Sequence, residues 1–150
     1  MIIDAHTHLL DEGGYLEGLI AEYQRLGISK GCIMCPALRL WSVHNLEVEK
    51  AFRKYPDTLI GFGYVRLGVD SPDFVEQLFS RGFRGLKFTC PSANYDDLAF
   101  YPVYERAEEL GLPALFHCGI VNPVKKGRQW DVSSARMRPV YLDTIARAFP

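Results

Sequence analysis

Short β-type runs recur along the chain at residues 1–4, 32–35, 59–64, 85–88 and 114–117. Their starts lie roughly 26–31 residues apart, about one strand-plus-helix unit each. The stretches between them carry helical periodicity. Leu16, Leu19, Ile20, Tyr23 and Leu26 follow an i, i+3, i+4, i+7 pattern, with Gly27 placed as a stop. Val48, Ala51, Phe52 and Tyr55 repeat it before Pro56. Phe74, Val75, Leu78 and Phe79 form a third stripe, with Ser71 expected at the N-cap, Pro72 at the first helical position and Gly82 past the end. A fourth helix is expected over 101–110, ending at Gly111, and a fifth through Tyr141, Leu142, Ile145 and Phe149, after Pro139.

Alternation of this kind predicts an α/β fold, a parallel sheet covered by helices. An open doubly wound sheet and part of a (β/α)8 barrel both satisfy it. A doubly wound dinucleotide-binding domain places a glycine-rich turn after its first strand. Here the first strand runs instead into His6-Thr-His8, which favours the barrel, whose sites gather at the C-terminal ends of the strands. Five units do not close an eight-stranded barrel. The expectation is one domain over residues 1–150, comprising the N-terminal five βα units. Either it stops before a sixth strand, or a second copy or another chain completes it, because a five-unit piece leaves two strand edges open.

Composition narrows the function classes. Apolar residues make up 48% of the 150 residues and charged residues 23%, the balance of a globular domain with a buried core. A net charge of −1 supplies no overall field to draw in nucleic acid or an acidic membrane. No leader pattern opens the sequence and no apolar run reaches the roughly 18–20 residues of a membrane span. A cytoplasmic protein is therefore expected, with its four cysteines reduced. Cys32 and Cys35 form a C-x-x-C within a strand run, where residues three apart point to opposite faces. Packing explains them better than a shared metal or a redox pair.

The chemistry-bearing residues cluster at strand ends. His6 and His8, two apart on a strand, share one face and offer two imidazoles to a transition metal. His117 ends the fifth strand, with Leu115 beneath it on the same face, so three of the four histidines fall where a barrel builds its site. The alternation also places Asp4 on the inward face, either supporting the ligands or as a buried polar residue. Lys87 ends the fourth strand. As a cation it would bind a substrate carboxylate or pair internally, and as a carbamate it would bridge two metals; substrate binding or pairing is favoured. His44 opens the second helix and reads as a solvated or capping residue rather than a ligand. Arg39 and Trp41, in the loop before it, are candidates to frame the substrate pocket. Residues 122–138 carry Lys125, Lys126, Arg128, Arg136 and Arg138 with Trp130, either an anion-attracting loop or a solvated basic one; no nucleic-acid motif is present.

Three stretches taken in order, Ile3-Asp-Ala-His-Thr-His8, Gly82-Phe-Arg-Gly-Leu-Lys87 and Glu109-Leu-Gly-Leu-Pro-Ala-Leu-Phe-His117-Cys-Gly119, resemble successive signatures of the amidohydrolase-related family. The similarity continues through Arg138-Pro-Val-Tyr-Leu-Asp143 to Pro150. The resemblance implies a distorted (β/α)8 barrel with one divalent metal, zinc as the default and manganese or iron as alternatives. It implies His6, His8 and His117 as ligands, joined in the family by a histidine of strand six and an aspartate of strand eight. The family's catalytic acid/base residues accordingly lie beyond Pro150. The implied activity is hydrolysis of a small, possibly carboxylate-bearing molecule by metal-activated water, with decarboxylation (a lyase reaction) by the same kind of site as the alternative. A TatD-type nuclease also opens with H-x-H, but carries a glutamate on the fourth strand where this chain has Gly85-Leu-Lys87. A PHP-type phosphoesterase lacks supporting downstream motifs here. A non-catalytic half-barrel or split subunit is the alternative from another class, and association into a homo-oligomer is left open.

Overall fold

The computed structural model of the protein describes residues 1–36, 44–120 and 133–150. Five strands, β1 (Ile3–His8), β2 (Lys30–Met34), β3 (Leu59–Val65), β4 (Gly85–Phe88) and β5 (Ala114–Phe116), pair in parallel in the order β1-β2-β3-β4-β5. Helices α1 (Tyr15–Leu26), α2 (Asn45–Lys54), α3 (Pro72–Ser80), α4 (Tyr101–Glu109) and α5 (Val140–Ala148) follow them in turn. Every neighbour in the sheet is also the neighbour in sequence. A doubly wound sheet reverses its order at a switch point, whereas this one curls steadily as five βα units of a barrel wall.

Strand alternation divides the side chains between two faces. The outer face carries Ile33, Leu59, Val65, Leu86 and Phe88 against a helical layer that includes Val48, Ala51, Val75, Leu78, Val103 and Tyr104, all buried. Each such aliphatic side chain contributes roughly 1.5–3 kcal/mol by leaving water. The inner face holds a smaller cluster of Cys32, Met34, Ile60, Phe62 and Leu115. Cys32 lies inside and Cys35 in the outer core, so the C-x-x-C is split between faces as the strand geometry requires. Gly61 lets α2 approach: a methyl group there would overlap the ring of Phe52.

Helix ends follow local chemistry. Gly27 adopts φ 68° after α1, and the next amide, Ile28 N–H, returns to the Tyr23 carbonyl at 2.9 Å. Pro72 opens α3 with Ser71 at the N-cap, although the Ser71 hydroxyl makes no capping bond. His44 is the N-cap of α2, its backbone N–H donating to Glu47 Oε2 at 3.0 Å, which fits a capping role. The β-type run at residues 1–4 marks only the start of β1, which begins at Ile3 and runs through both histidines to His8, so the pair lies on one strand as its spacing implies. Two 3-10 turns, Leu98–Phe100 and Ser134–Met137, carry no hydrophobic period and were not foreseen. A groove of about 620 Å³ lies on the helix side of β5, walled by Ala107, Leu112, Phe116, Ile145 and Phe149, with no histidine in its lining among the described residues. No helix among the described residues is long and apolar enough to cross a membrane.

Candidate active site

The site is built on an irregularity in β1. Asp4 pairs with Gly31 and Thr7 with Ile33, so three steps along β1 match two along β2. One extra residue in a strand reverses the alternation beyond it. Asp4 and Thr7 consequently both face α1, while His6 and His8 face the interior. This corrects the expectation that Asp4 shares the inward face with the histidines, which assumed an unbroken period of two.

On the inner side, His6 Nε2 and His8 Nε2 lie 3.1 Å apart, with ring centroids separated by 4.8 Å and planes inclined by 69°. Lys87, 1% exposed, reaches across from β4 and places its Nζ 3.4 Å from His6 Nε2. His117 follows β5 directly, its N–H bonded to the Phe88 carbonyl at 2.9 Å. Tyr95, fully buried, fastens this corner by donating to the carbonyls of His117 at 2.8 Å and Phe88 at 3.3 Å.

Electrostatics keep the imidazoles neutral. His6 is exposed at the rim, yet partial desolvation of its ring, then the Lys87 charge and His117, lowers its pKa below the usual value. Burial, then His6 and Lys87, pushes His8 down to about 4. Burial and Lys87 lower His117. Lys87 is itself pushed down to about 8 by burial. Among the described residues it has no carboxylate partner, so the internal salt bridge considered for it does not form there.

The donor set suits a divalent metal. Neutral imidazole is the ligating form, and ligand distances of about 2.0–2.1 Å put neighbouring ligand nitrogens roughly 3 Å apart, as the His6–His8 pair has them. His8 Nδ1 and His117 Nε2 are buried with no hydrogen-bond partner among the described residues, a costly state that a ligand at His117 Nε2 would relieve. His117 shares the rim with the pair without joining it at coordination distance. Among the described residues no three His, Cys, Asp or Glu side chains close into one metal-sized cluster.

Arg39 and Trp41 lie outside the described residues, as do Lys125, Lys126, Arg128 and Trp130. Arg136 sits in the 134–137 turn and Arg138 just after it. The side chains that support the site were missed from sequence. Thr7, Tyr23 and Gly31 lie beside the register shift of β1, and Tyr95 sits in an irregular connection with no period to flag it; an aromatic amid Ser, Ala, Asn and Asp is the available signal.

The amidohydrolase family model matches residues 3–150. Dihydroorotase from Saccharomyces cerevisiae, solved with 5-fluoroorotic acid, superposes with a TM-score of 0.66 at 21% identity, covering 100% of this chain and 45% of that one. A probable 2-pyrone-4,6-dicarboxylic acid hydrolase from Acinetobacter baumannii, solved with citric acid, gives 0.61 at 17%, covering 79% and 49%. A 5-carboxyvanillate decarboxylase from Novosphingobium aromaticivorans, solved with manganese and a nitrobenzoic acid, gives 0.51 at 21%, covering 67% and 34%. At these identities the likeness is one of fold, and the chain spans half or less of each. A search of curated proteins returned no match.

Proposed function

Because the chain belongs to the amidohydrolase family, we propose that it contributes the first half of a metal-dependent hydrolase site for a small, carboxylate-bearing substrate, with His6, His8 and His117 as metal ligands. The observation that carries this reading is the 3.1 Å approach of two neutral imidazole nitrogens beside a buried ammonium with no carboxylate partner among the described residues. When bound, a divalent ion supplies Lewis acidity, polarising a carbonyl or carboxylate and acidifying water. Zinc is the first choice for a histidine-rich site, and manganese and iron fit a histidine/carboxylate set.

The chain's own residues do the rest. His6 and His8 are neutral near pH 7, so each ring has one unprotonated nitrogen. A tautomer shift in the ring that donates across the 3.1 Å contact would turn both Nε2 lone pairs to a metal without a net release of protons. Lys87 offers a cation at the floor of the site, where a substrate carboxylate would restore charge balance. The same cation serves a substrate whose carboxylate is retained or lost, and this favours decarboxylation as the second reading. Arg39 and Trp41 are proposed to frame the substrate from the loop after β2.

Elemental analysis of the purified chain tests the ligand set. About one equivalent of metal is expected in the wild type, with most of it lost in His6→Ala and in His117→Ala. A metal-free wild type after exposure to zinc and manganese would overturn the proposal. Retention of full metal by His117→Ala would remove that residue from the ligand set.

A further inference from the structure

The outer side of β1 carries a hydrogen-bonded cluster. Asp4 Oδ2 accepts from the Thr7 hydroxyl and from the Tyr23 hydroxyl, the latter at 2.7 Å, while Asp4 Oδ1 accepts from the His6 backbone N–H at 3.0 Å. Burial pushes the Asp4 pKa upward, but the bonds from Thr7, His6 N–H and Tyr23 outweigh it and keep the carboxylate ionised. With both hydroxyl protons committed to Oδ2, the 2.9 Å approach of the Thr7 and Tyr23 oxygens is a consequence of their common acceptor. Tyr23 reaches the carboxylate from α1 by laying its ring over Gly31, the residue paired with Asp4 on β2. A methyl group at Gly31 would occupy the space of that ring.

Two of these bonds, from the His6 N–H and the Thr7 hydroxyl, span the register shift of β1 between Asp4 and Thr7, and the third ties it to α1. With Asp4 facing α1, an unbulged strand would turn Thr7 inward and put His6 and His8 on the outer face beside Asp4. We propose that Asp4, Thr7 and Tyr23 are positioning residues that lock this bulge and thereby hold His6 and His8 converging on the inner face. The proposal rests on the reading of those histidines as ligands for its functional meaning, and on geometry alone for the clasp itself. Groups that orient metal-binding side chains act on affinity without touching the metal.

The full-length chain is compared with Thr7→Val, which keeps the shape and loses the hydroxyl, Thr7→Ser, which keeps the hydroxyl, and Tyr23→Phe. Two readouts are taken: Co²⁺ affinity by competition titration, and, in metal-free protein, the nuclear Overhauser contact between the His6 and His8 rings. Thr7→Val and Tyr23→Phe should each lose the ring contact and weaken Co²⁺ binding by about 10–100-fold, while Thr7→Ser stays within about threefold of wild type. The Thr7→Val/Tyr23→Phe double variant should fall well short of the product of the single losses, since both act on one carboxylate. Wild-type affinity and an intact ring contact in Thr7→Val would overturn the proposal. So would loss of the contact only together with the far-ultraviolet circular dichroism of the whole fold. If wild type fails to bind Co²⁺, the metal reading falls and the metal-free ring contact alone decides the clasp.

Discussion

Lys87 Nζ stands 3.4 Å from His6 Nε2 on the inner face of the sheet, buried, with no carboxylate among the described residues to balance it. A cation in that position disfavours protons on its neighbours, and the lowered pKa values of His6 and His117 both carry its mark.

Replacing that cation should therefore stabilise the empty fold while harming ligand binding. Lys87→Met keeps the length and removes the buried charge, a change that is commonly neutral or stabilising. The pH dependence gives the sign. Lys87 titrates near 8 when folded against an ordinary 10.5, so between these values the unfolded chain binds more protons and stability rises with pH. Wild-type urea midpoints should climb relative to Lys87→Met from about pH 8 to pH 10.5. A constant gap across that range would show that Lys87 is not held in the state described.

His8 makes the opposite end of the pH range informative. Its folded pKa of about 4 lies below the ordinary 6.5, so the unfolded chain again binds more protons between them. Stability contributed by keeping His8 neutral is complete above 6.5 and is lost as the pH falls towards 4. In metal-free protein, His8→Gln should lose less stability than wild type between pH 6.5 and 4. Parallel urea midpoints for the two would count against the burial of His8.

Tyr95 should prove a structural residue whose loss is felt at the site. Tyr95→Phe leaves the His117 carbonyl without its 2.8 Å donor, at a cost of about 1–3 kcal/mol. Chemical denaturation measures that cost, and the amide of Gly119, which follows the same corner, should exchange faster with solvent. A loss below about 0.5 kcal/mol would mean that water replaces the phenol without penalty.

Gly31→Ala should be disproportionately harmful for a single methyl group. The new carbon meets the Tyr23 ring, and overpacking of this kind costs about 1–3 kcal/mol. Combining it with Tyr23→Ala should recover part of that cost, because the obstructing ring is gone. Additive losses in the double variant would place the strain elsewhere.

The fold was legible because its signals are long and repetitive. Leu16 to Leu26 marks a helix whatever surrounds it, and Gly27 and Pro72 act through backbone geometry that tertiary contacts leave alone. The positions of His6, His8, Lys87 and His117 on or just after the strands were legible for the same reason, since the end of a strand is found once the strand is. Asp4 was misplaced because a bulge has no periodic signature: one residue inserted between Asp4 and Thr7 reverses a face, and its cause lies in Tyr23 and Gly31, which no local window joins. The Ser134–Met137 turn escaped for a related reason, held by Met137 against Thr89 and Cys90 across a long sequence separation.

The order of the sheet also bears on how the chain acquires its shape. Each strand pairs with the next in sequence across a single helical crossover, so the fold can grow by adding one unit at a time to a preceding one. β3 and its neighbours are buried on both sides, whereas β1 carries Ile2 and Ile3 exposed beside it and within it. Opening should reach β3 after the two outer strands of the sheet, β1 and β5. A ligand that engages the two imidazoles of β1 would add its binding free energy to the folded form of the unit that carries them.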